Sequence, residues 1–275
     1  MRILVTGGSG RLGRFVVDEL AGHGHDVTNL DIRRPDRERP GVHTILGDAA
    51  RMEDAFGALT YARAEALVHL AAWSDPGFVA DSRTFADNTT ATFNLLDVCA
   101  RLGIGRAVVA SSAQVYGFAE HCPAYAPVDE DHPLRPLNSY SLSKICGERI
   151  AEYFSQRTAL RVATFRIMGA RAPEDLDEEV ARLKASTPEA GRFLLWNRTD
   201  ARDIARACRL ALEAPVMPCG PYNITAAHNA VGEPSAELLR RHCPDTAIVG
   251  DIPGTASLMT CRKAHDDFGY QAEYR

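Results

Sequence analysis

A doubly wound α/β fold, with a parallel sheet covered on both faces and a small C-terminal lobe beside it, is what this 275-residue sequence predicts. Three observations carry the expectation. Aliphatic and β-branched runs recur at 2–6, 26–32, 43–48, 66–71, 107–112 and 161–167, with helix-like segments between most of them. They read as nearly continuous apolar stretches, which suits parallel strands buried on both faces. A glycine-rich turn, TGGSGRLG at 6–13, directly follows the first run. After Arg166 the alternation weakens, and from about Ala226 short helices sit between Gly and Pro breaks. We therefore expect a dinucleotide-binding domain over 1–168, rejoined by 199–222, and a lobe built from 169–198 and 223–275. Long helices are expected over 81–102 and 138–158.

Composition narrows the classes. The net charge of -5 gives no reason to expect a nucleic-acid partner or an anionic membrane surface. The opening MRILVTGG runs straight into a strand and a glycine turn, so neither a signal peptide nor a membrane span is expected. Seven cysteines are scattered with no C-x-x-C pair and no accompanying His spacing, so no metal site is expected. Reduced thiols in a cytoplasm are the simplest reading.

The turn places Gly7, Gly10 and Gly13 between a strand and a helix. Such a turn lets backbone amides approach a pyrophosphate at a helix N-terminus, although a tight strand-to-helix turn can need glycine for packing alone. Asp31 ends the second strand, 18 residues beyond Gly13, where a carboxylate can accept hydrogen bonds from an adenosine ribose. That favours NAD. Arg11, Arg33 and Arg34 stand nearby, so the 2′-phosphate of NADP is not excluded. Asp48 suits an adenine contact, and Leu70, Ala71 and Ala72 close another strand toward the same edge.

Ser111 and Ser112 end the strand AVVASS, at the carboxyl edge where doubly wound sheets bind ligands. A connection of 24 residues with four prolines, Gln114 to Leu137, then leads to YSLSK at 140–144. A loop of that length in a compact domain is commonly functional. Tyr140 and Lys144, four residues apart, share one helix face. A free phenol, with a pKa of about 10, is a poor base at neutral pH, and an adjacent ammonium stabilises its anion. Tyr140 would then take a proton from an alcohol as hydride leaves the carbon, with Ser112 bonded to the same oxygen. Taken alone, a Tyr and a Lys one turn apart are more often a solvated pair. The conjunction with the glycine turn and the Ser-ending strand decides for chemistry.

The ordered set TGGSGRLG, LDIRR, the GD at 47–48, VHLAA, NTTATFNLL at 88–96, SSAQVYG, PVDEDHPLRP at 127–136, YSLSK and a late RKAHDDFGY resembles the extended short-chain dehydrogenase/reductase family, in its NAD-dependent epimerase/dehydratase branch. The resemblance implies a Rossmann-type domain with a substrate-binding lobe, and catalytic roles for Ser112, Tyr140 and Lys144. It implies cofactor contacts from Gly7, Gly10, Arg11, Leu12, Asp31, Asp48, Ala49 and the strand end Leu70, Ala71 and Ala72. Gly13, Arg33, Ser111, Tyr140 and Lys144 join them as cofactor candidates by their places in the turn, after Asp31, at the end of AVVASS and in YSLSK. It also implies sugar substrates, often nucleotide-linked, and a homodimer through the two long helices. Two departures matter. Ser112-Ala113-Gln114 stands where the branch's dehydratases carry Thr-Asp-Glu, so dehydration is not expected. FRIMGAR lacks the asparagine that usually precedes Gly-Pro-Arg in nucleotide-sugar enzymes, a trait nearer to members that oxidise free sugar acids.

Ser74 and Gln114 are the candidates for substrate contact, and Trp73 suits either the pocket or packing. His69 reads as a packed strand histidine. The function expected is an NAD-dependent enzyme acting at a secondary alcohol carbon of a sugar or nucleotide sugar, with epimerisation first. Net dehydrogenation or ketone reduction of a free sugar, sugar acid or keto-sugar is the alternative. A non-catalytic dinucleotide sensor is the reading from a different class, and the retained Tyr140 and Lys144 argue against it.

Overall fold

The computed structural model describes residues 1–74, 77–186 and 188–274. In chain order the elements are β1 (Arg2–Thr6), α1 (Gly13–Gly22), β2 (Asp26–Asp31), β3 (His43–Leu46), α2 (Met52–Tyr61), β4 (Ala66–His69), α3 (Asp81–Arg101), β5 (Arg106–Ser112), β6 (Tyr125–Ala126), α4 (Ser139–Arg157), β7 (Arg161–Ile167), β8 (Ala170–Arg171), α5 (Pro173–Ala185), β9 (Thr199–Asp200), α6 (Ala201–Glu213), β10 (Gly220–Ile224), α7 (Ser235–His242), β11 (Ala247–Ile248) and α8 (Arg262–Phe268). Seven strands form one sheet in the order β10-β7-β5-β4-β1-β2-β3. β1 pairs in parallel with β2 and with β4, β2 with β3, and β4 with β5. The chain winds outward from β1 to β3, then returns to β4 and winds the other way. The strand order therefore reverses between β1 and β4, the switch point at which doubly wound sheets open a crevice.

Two compact units make up the chain. The first comprises Met1–Ser111, Asn138–Phe165 and Ala205–Pro221. Its central strands bury apolar side chains, Ile3, Leu4 and Val5 of β1, Leu67 and Val68 of β4 and Val108 of β5, while buried polar residues such as Thr6, Asp31 and His69 stand at carboxyl ends of strands. In α1 the buried positions are Gly13, Val16, Val17 and Leu20, one stripe at helical spacing. Another core layer joins Leu4, Leu30, Leu67 and Val109 to Ala55 and Leu59 of α2, Leu95 and Cys99 of α3 and Phe154 of α4. The strands β3 and β4 stop at Leu46 and His69, two residues short of the apolar runs.

The second unit comprises Ser112–Leu137, Arg166–Ile204 and Tyr222–Arg275, and it includes the proline-rich connection. Two small parallel pairs hold parts of it, β6 with β11 and β8 with β9. A buried polar network adds to them. Tyr116 Oη donates to Asn223 Oδ1 at 2.6 Å, Arg166 donates to Tyr116 Oη at 3.0 Å and to the Glu130 carbonyl at 2.8 Å, and Asn223 N–H donates to Glu130 Oε1 at 2.7 Å. The cysteine expectation is corrected here. Cys122 and Cys243 form a disulfide, with their Cα atoms 5.5 Å apart, while Cys99, Cys146, Cys208, Cys219 and Cys261 are free. Nothing in the linear sequence marks two cysteines 121 residues apart as neighbours.

Candidate active site

The glycine turn forms where β1 ends. Gly7 adopts φ +74°, and a Cβ there would lie 2.7 Å from the Ala71 nitrogen, so no other residue fits. Gly10 N–H donates to the Gly7 carbonyl at 3.0 Å and closes the turn. A Cβ on Gly10 would meet only that carbonyl, at 3.1 Å, so the other side of Gly10 is not filled by protein. Leu12 is the N-cap of α1 and Gly13 its first residue, with no side-chain cap and no acidic residue in the first turn. The positive end of the helix thus carries no carboxylate of its own, as a site for an external phosphate requires. Arg11 is exposed on the same turn.

Asp31 is buried at the end of β2 and fixed by two backbone amides. Its Oδ2 accepts from Ser9 N–H at 2.9 Å and its Oδ1 from Arg33 N–H at 3.0 Å. Each carboxylate oxygen keeps lone pairs for further donors. Arg33 thus enters through its backbone, and its side chain is exposed. Gly47 N–H donates to the Asp31 carbonyl at 3.0 Å, bringing Asp48 beside this strand end. Asp48 is itself held, its N–H by Asp54 Oδ2 and its Oδ1 by Ala50 N–H, both at 2.9 Å, and Ala49 between them is buried. Leu70 N–H donates to the Thr6 carbonyl at 3.1 Å and Ala71 N–H to Thr6 Oγ1 at 3.4 Å. The glycine turn, Asp31, Asp48 and the 70–72 segment therefore gather at the carboxyl edge of β1, β2 and β4. Phosphate, ribose and adenine of a dinucleotide fit this set of donors and acceptors.

The catalytic candidates on α4 follow an Asn138 cap. Asn138 Oδ1 accepts from Ser141 N–H at 2.8 Å while Ser141 Oγ accepts from Asn138 N–H at 3.2 Å. The first turn carries Tyr140, 8% exposed, and the second Lys144, 9% exposed. Lys144 Nζ lies 5.6 Å from the centroid of the Tyr140 ring and donates to the Ala110 carbonyl of β5 at 2.8 Å. Burial pulls the Lys144 ammonium down to about 8, against the opposing pull of the Glu148 carboxylate. Glu148 in turn accepts from Ser111 Oγ at 2.7 Å. The Ser111 hydroxyl, expected at the cofactor, is thus turned to α4.

His69, buried at the end of β4, is set by two threonines. Its Nδ1 is 2.7 Å from Thr6 Oγ1 and its Nε2 3.2 Å from Thr92 Oγ1. Thr92 Oγ1 already donates to the Asn88 carbonyl at 2.9 Å, so it accepts from Nε2–H, and Thr6 donates to Nδ1. Burial, with the charge of Lys144 added, lowers His69 to about 3 and keeps it neutral. A second clamp is Asn88. It accepts from Trp73 N–H at 2.9 Å and donates to Ser143 Oγ at 3.1 Å, tying the segment after β4 to α4. Trp73 Nε1 donates to Asp87 Oδ2 at 2.8 Å, which anchors the indole to α3.

Ser112, the buried last residue of β5, is two residues beyond Ala110 on that strand. Its Oγ accepts from Gln114 N–H at 3.2 Å, which leaves the hydroxyl proton out of that bond. Gln114 is exposed on the short 3₁₀ helix Ala113–Tyr116, and Ser74 is exposed on the segment after β4. Among the described residues no cluster of His, Cys, Asp or Glu has metal-site geometry, and no helix is long and apolar enough to cross a membrane. Glu148, Asn88 and Thr92 have no role in the sequence reading. Glu148 stands four residues after Lys144, the spacing of a helical ion pair, and that was a usable signal.

Known proteins resemble this chain in sequence and in fold. The model of the NAD dependent epimerase/dehydratase family matches residues 3–225. A putative UDP-glucose 4-epimerase of Methanocaldococcus jannaschii is 31% identical over 60% of this chain and 54% of its own length. The L-arabinose 1-dehydrogenase (NAD(P)(+)) of Haloferax volcanii is 32% identical over 65% of this chain and 72% of its own. The match thus spans little more than half of the first of these relatives. Among solved structures, MoeE5 in complex with UDP-glucuronic acid and NAD superposes with a TM-score of 0.75 at 26% identity, over 100% of this chain and 95% of that one. With 223 consecutive residues (3 to 225) under one family model and the sheet, turn and helix pair in place, this chain belongs to the NAD dependent epimerase/dehydratase family.

Proposed function

We propose that this protein is an NAD-dependent enzyme that acts reversibly at a secondary alcohol carbon of a sugar, and that its reaction is epimerisation of a sugar or nucleotide sugar. The observation that carries the reading is the buried Lys144, held on the Ala110 carbonyl with its ammonium 5.6 Å from the Tyr140 ring. A cation in a poorly hydrated place favours the anionic form of a neighbouring phenol. Tyr140 is then the base that removes the hydroxyl proton and the acid that returns it. Ser112 supplies the hydroxyl that bonds the reacting oxygen. Bound NAD supplies the nicotinamide that accepts and returns the hydride. Asp31 orients the adenosine ribose, and a carboxylate there disfavours a 2′-phosphate, so NAD is chosen over NADP. Gly7, Gly10, Arg11, Leu12 and Gly13 receive the pyrophosphate. Asp48 and Ala49, with Leu70 to Ala72, border the adenine side, and Ser74 and Gln114 reach the substrate. The sugar class is supported by the relatives, one an epimerase of a nucleotide sugar and one a dehydrogenase of a free sugar.

The test is direct. Purified protein with NAD is given nucleotide sugars, free sugars and sugar acids in turn. Epimerisation yields the inverted sugar with no lasting absorbance of reduced nicotinamide. Steady accumulation of reduced nicotinamide would establish the second reading, dehydrogenation, which the shortened FRIMGAR segment and the Haloferax relative favour. If no member of the panel turns over, the enzyme reading fails.

A homodimer through α3 and α4 belongs to the same proposal. Phe85 and Phe93 of α3 and Leu142 and Tyr153 of α4 are exposed, more apolar surface than two solvated helices need. Sedimentation of wild type against Phe93→Glu tests it. A dinucleotide-dependent enzyme works where its cofactor pool is, and we place this one in the cytoplasm, testable by fractionation.

A further inference from the structure

The disulfide between Cys122 and Cys243 has no part in the sugar chemistry, yet its surroundings are specific. Cys122 is half-buried at the head of the segment that pairs with β11, whereas Cys243, the residue that ends α7, is 1% exposed. Arg192 reaches Cys122 from one side: its guanidinium lies 3.9 Å from Cys122 Sγ and also donates to the Ala119 carbonyl at 3.1 Å. A cation at that distance favours the thiolate, the reactive form of cysteine. Cys243 has the opposite setting, buried at the carboxyl end of a helix where negative charge is disfavoured. The two segments are joined without the sulfur bond. Ala247 N–H donates to the Ala124 carbonyl at 3.2 Å, Val249 N–H to the Ala126 carbonyl at 2.9 Å and Thr246 Oγ1 to the Pro123 carbonyl at 2.8 Å. Reduced sulfurs would therefore stay within bonding reach.

We infer that Cys122 and Cys243 form a peroxide-reactive redox pair in which Cys122 is the nucleophile and Cys243 the resolving thiol. The Cys122 thiolate attacks one oxygen of a hydroperoxide. The O–O bond breaks, hydroxide or alkoxide leaves and takes a proton, and Cys122 becomes a sulfenic acid. Cys243 sulfur then attacks Cys122 Sγ and the S–O bond breaks. The departing hydroxyl leaves as water with the proton of the Cys243 thiol. Two thiols are oxidised by two electrons and one peroxide is reduced. A cellular dithiol reverses the disulfide by exchange, entering at Cys122, the less buried of the two residues. In a reducing compartment such a pair is a sensor, since standing disulfides are rare there. Three of the other thiols are disfavoured as thiolates: burial pushes Cys208 and Cys261 up to about 12 and raises Cys99 as well.

The experiment uses the full chain, reduced and freed of reductant. In Cys243→Ser, hydrogen peroxide with a 1,3-diketone sulfenic trap gives an adduct at Cys122 by peptide mass spectrometry. In the wild type the same treatment gives the Cys122–Cys243 disulfide and no adduct. Arg192→Gln slows oxidation of Cys122 by about tenfold, and Arg192→Lys restores it. Wild type needs no substitution for a second check: limiting iodoacetamide alkylates Cys122 before the half-buried Cys146 and Cys219. Adducts appearing first at Cys146, Cys219 or Cys243, or an oxidation rate indifferent to Arg192, would overturn the inference.

Discussion

The Lys144 ammonium is anchored to the Ala110 carbonyl at 2.8 Å, a bond between the second turn of α4 and the carboxyl end of β5. It fixes a long, flexible side chain at its tip and leaves two further ammonium hydrogens for other partners. The same bond places positive charge where little water can answer it. Burial at 9% exposure strengthens the field on Tyr140 and destabilises the fold in the same stroke.

Lys144→Met is therefore expected to abolish turnover while changing stability in a pH-dependent way. The folded ammonium titrates at about 8, below the 10.5 of the unfolded chain. The folded state consequently binds fewer protons between these values, and wild-type stability rises with pH across that window. The penalty is fully present below pH 8. Relative to wild type, the Met variant should lose about 3 kcal/mol of its advantage between pH 7 and pH 10.5, as read by urea unfolding. Parallel stability curves for the two proteins would contradict the buried cation.

Tyr140→Phe should lower kcat by roughly 10²- to 10⁴-fold, the usual contribution of a positioned acid–base group. NAD affinity, measured by quenching of protein fluorescence, should remain within a few-fold of wild type. A variant that keeps full kcat would remove the phenol from the chemistry and leave the protein as a dinucleotide binder.

How far these features were legible in the linear sequence depended on the range of the interaction. The strands of the parallel sheet carry their own signal, because a strand buried on both faces is mostly aliphatic, as in ILV of β1, ALV of β4 and AVVA of β5. Tyr140 and Lys144 were legible for the same local reason, a spacing of one helical turn. The bond from Ser111 Oγ to Glu148 was not legible, since the two residues lie 37 apart on different elements. The disulfide was invisible for that reason too. The second unit is hardest to read: β6, β8, β9 and β11 have two residues each, too few for any period to show.

Asp31→Ser should raise the KM for NAD by about tenfold to hundredfold, given the strength of hydrogen bonds to charged groups. Both the ribose contact and the fixed amides of Ser9 and Arg33 would be lost. Use of NADP should improve in the same variant, because Arg33 and Arg34 would face a phosphate with no carboxylate opposing it. The ratio of kcat/KM for the two cofactors is the measurement, and an unchanged ratio would take Asp31 out of cofactor choice.

Asn138→Ala probes whether the helix cap serves the chemistry as well as the fold. Asn138 caps α4 two residues before Tyr140, through the reciprocal bonds with Ser141. Losing the cap costs about 1 kcal/mol, which for a chain of this size lowers Tm by roughly 2–4 °C. Fraying of the first turn should also let the phenol wander from its place beside Lys144, whereas Lys144 itself, a full turn further in and pinned to Ala110, stays put. The expected signature is a fall in kcat of about tenfold at temperatures well below Tm, with the KM for NAD unchanged. Asn138→Asp, which retains the capping oxygen, should recover both values. A loss of Tm with kcat intact would mean that the cap supports the helix and has no bearing on where Tyr140 sits.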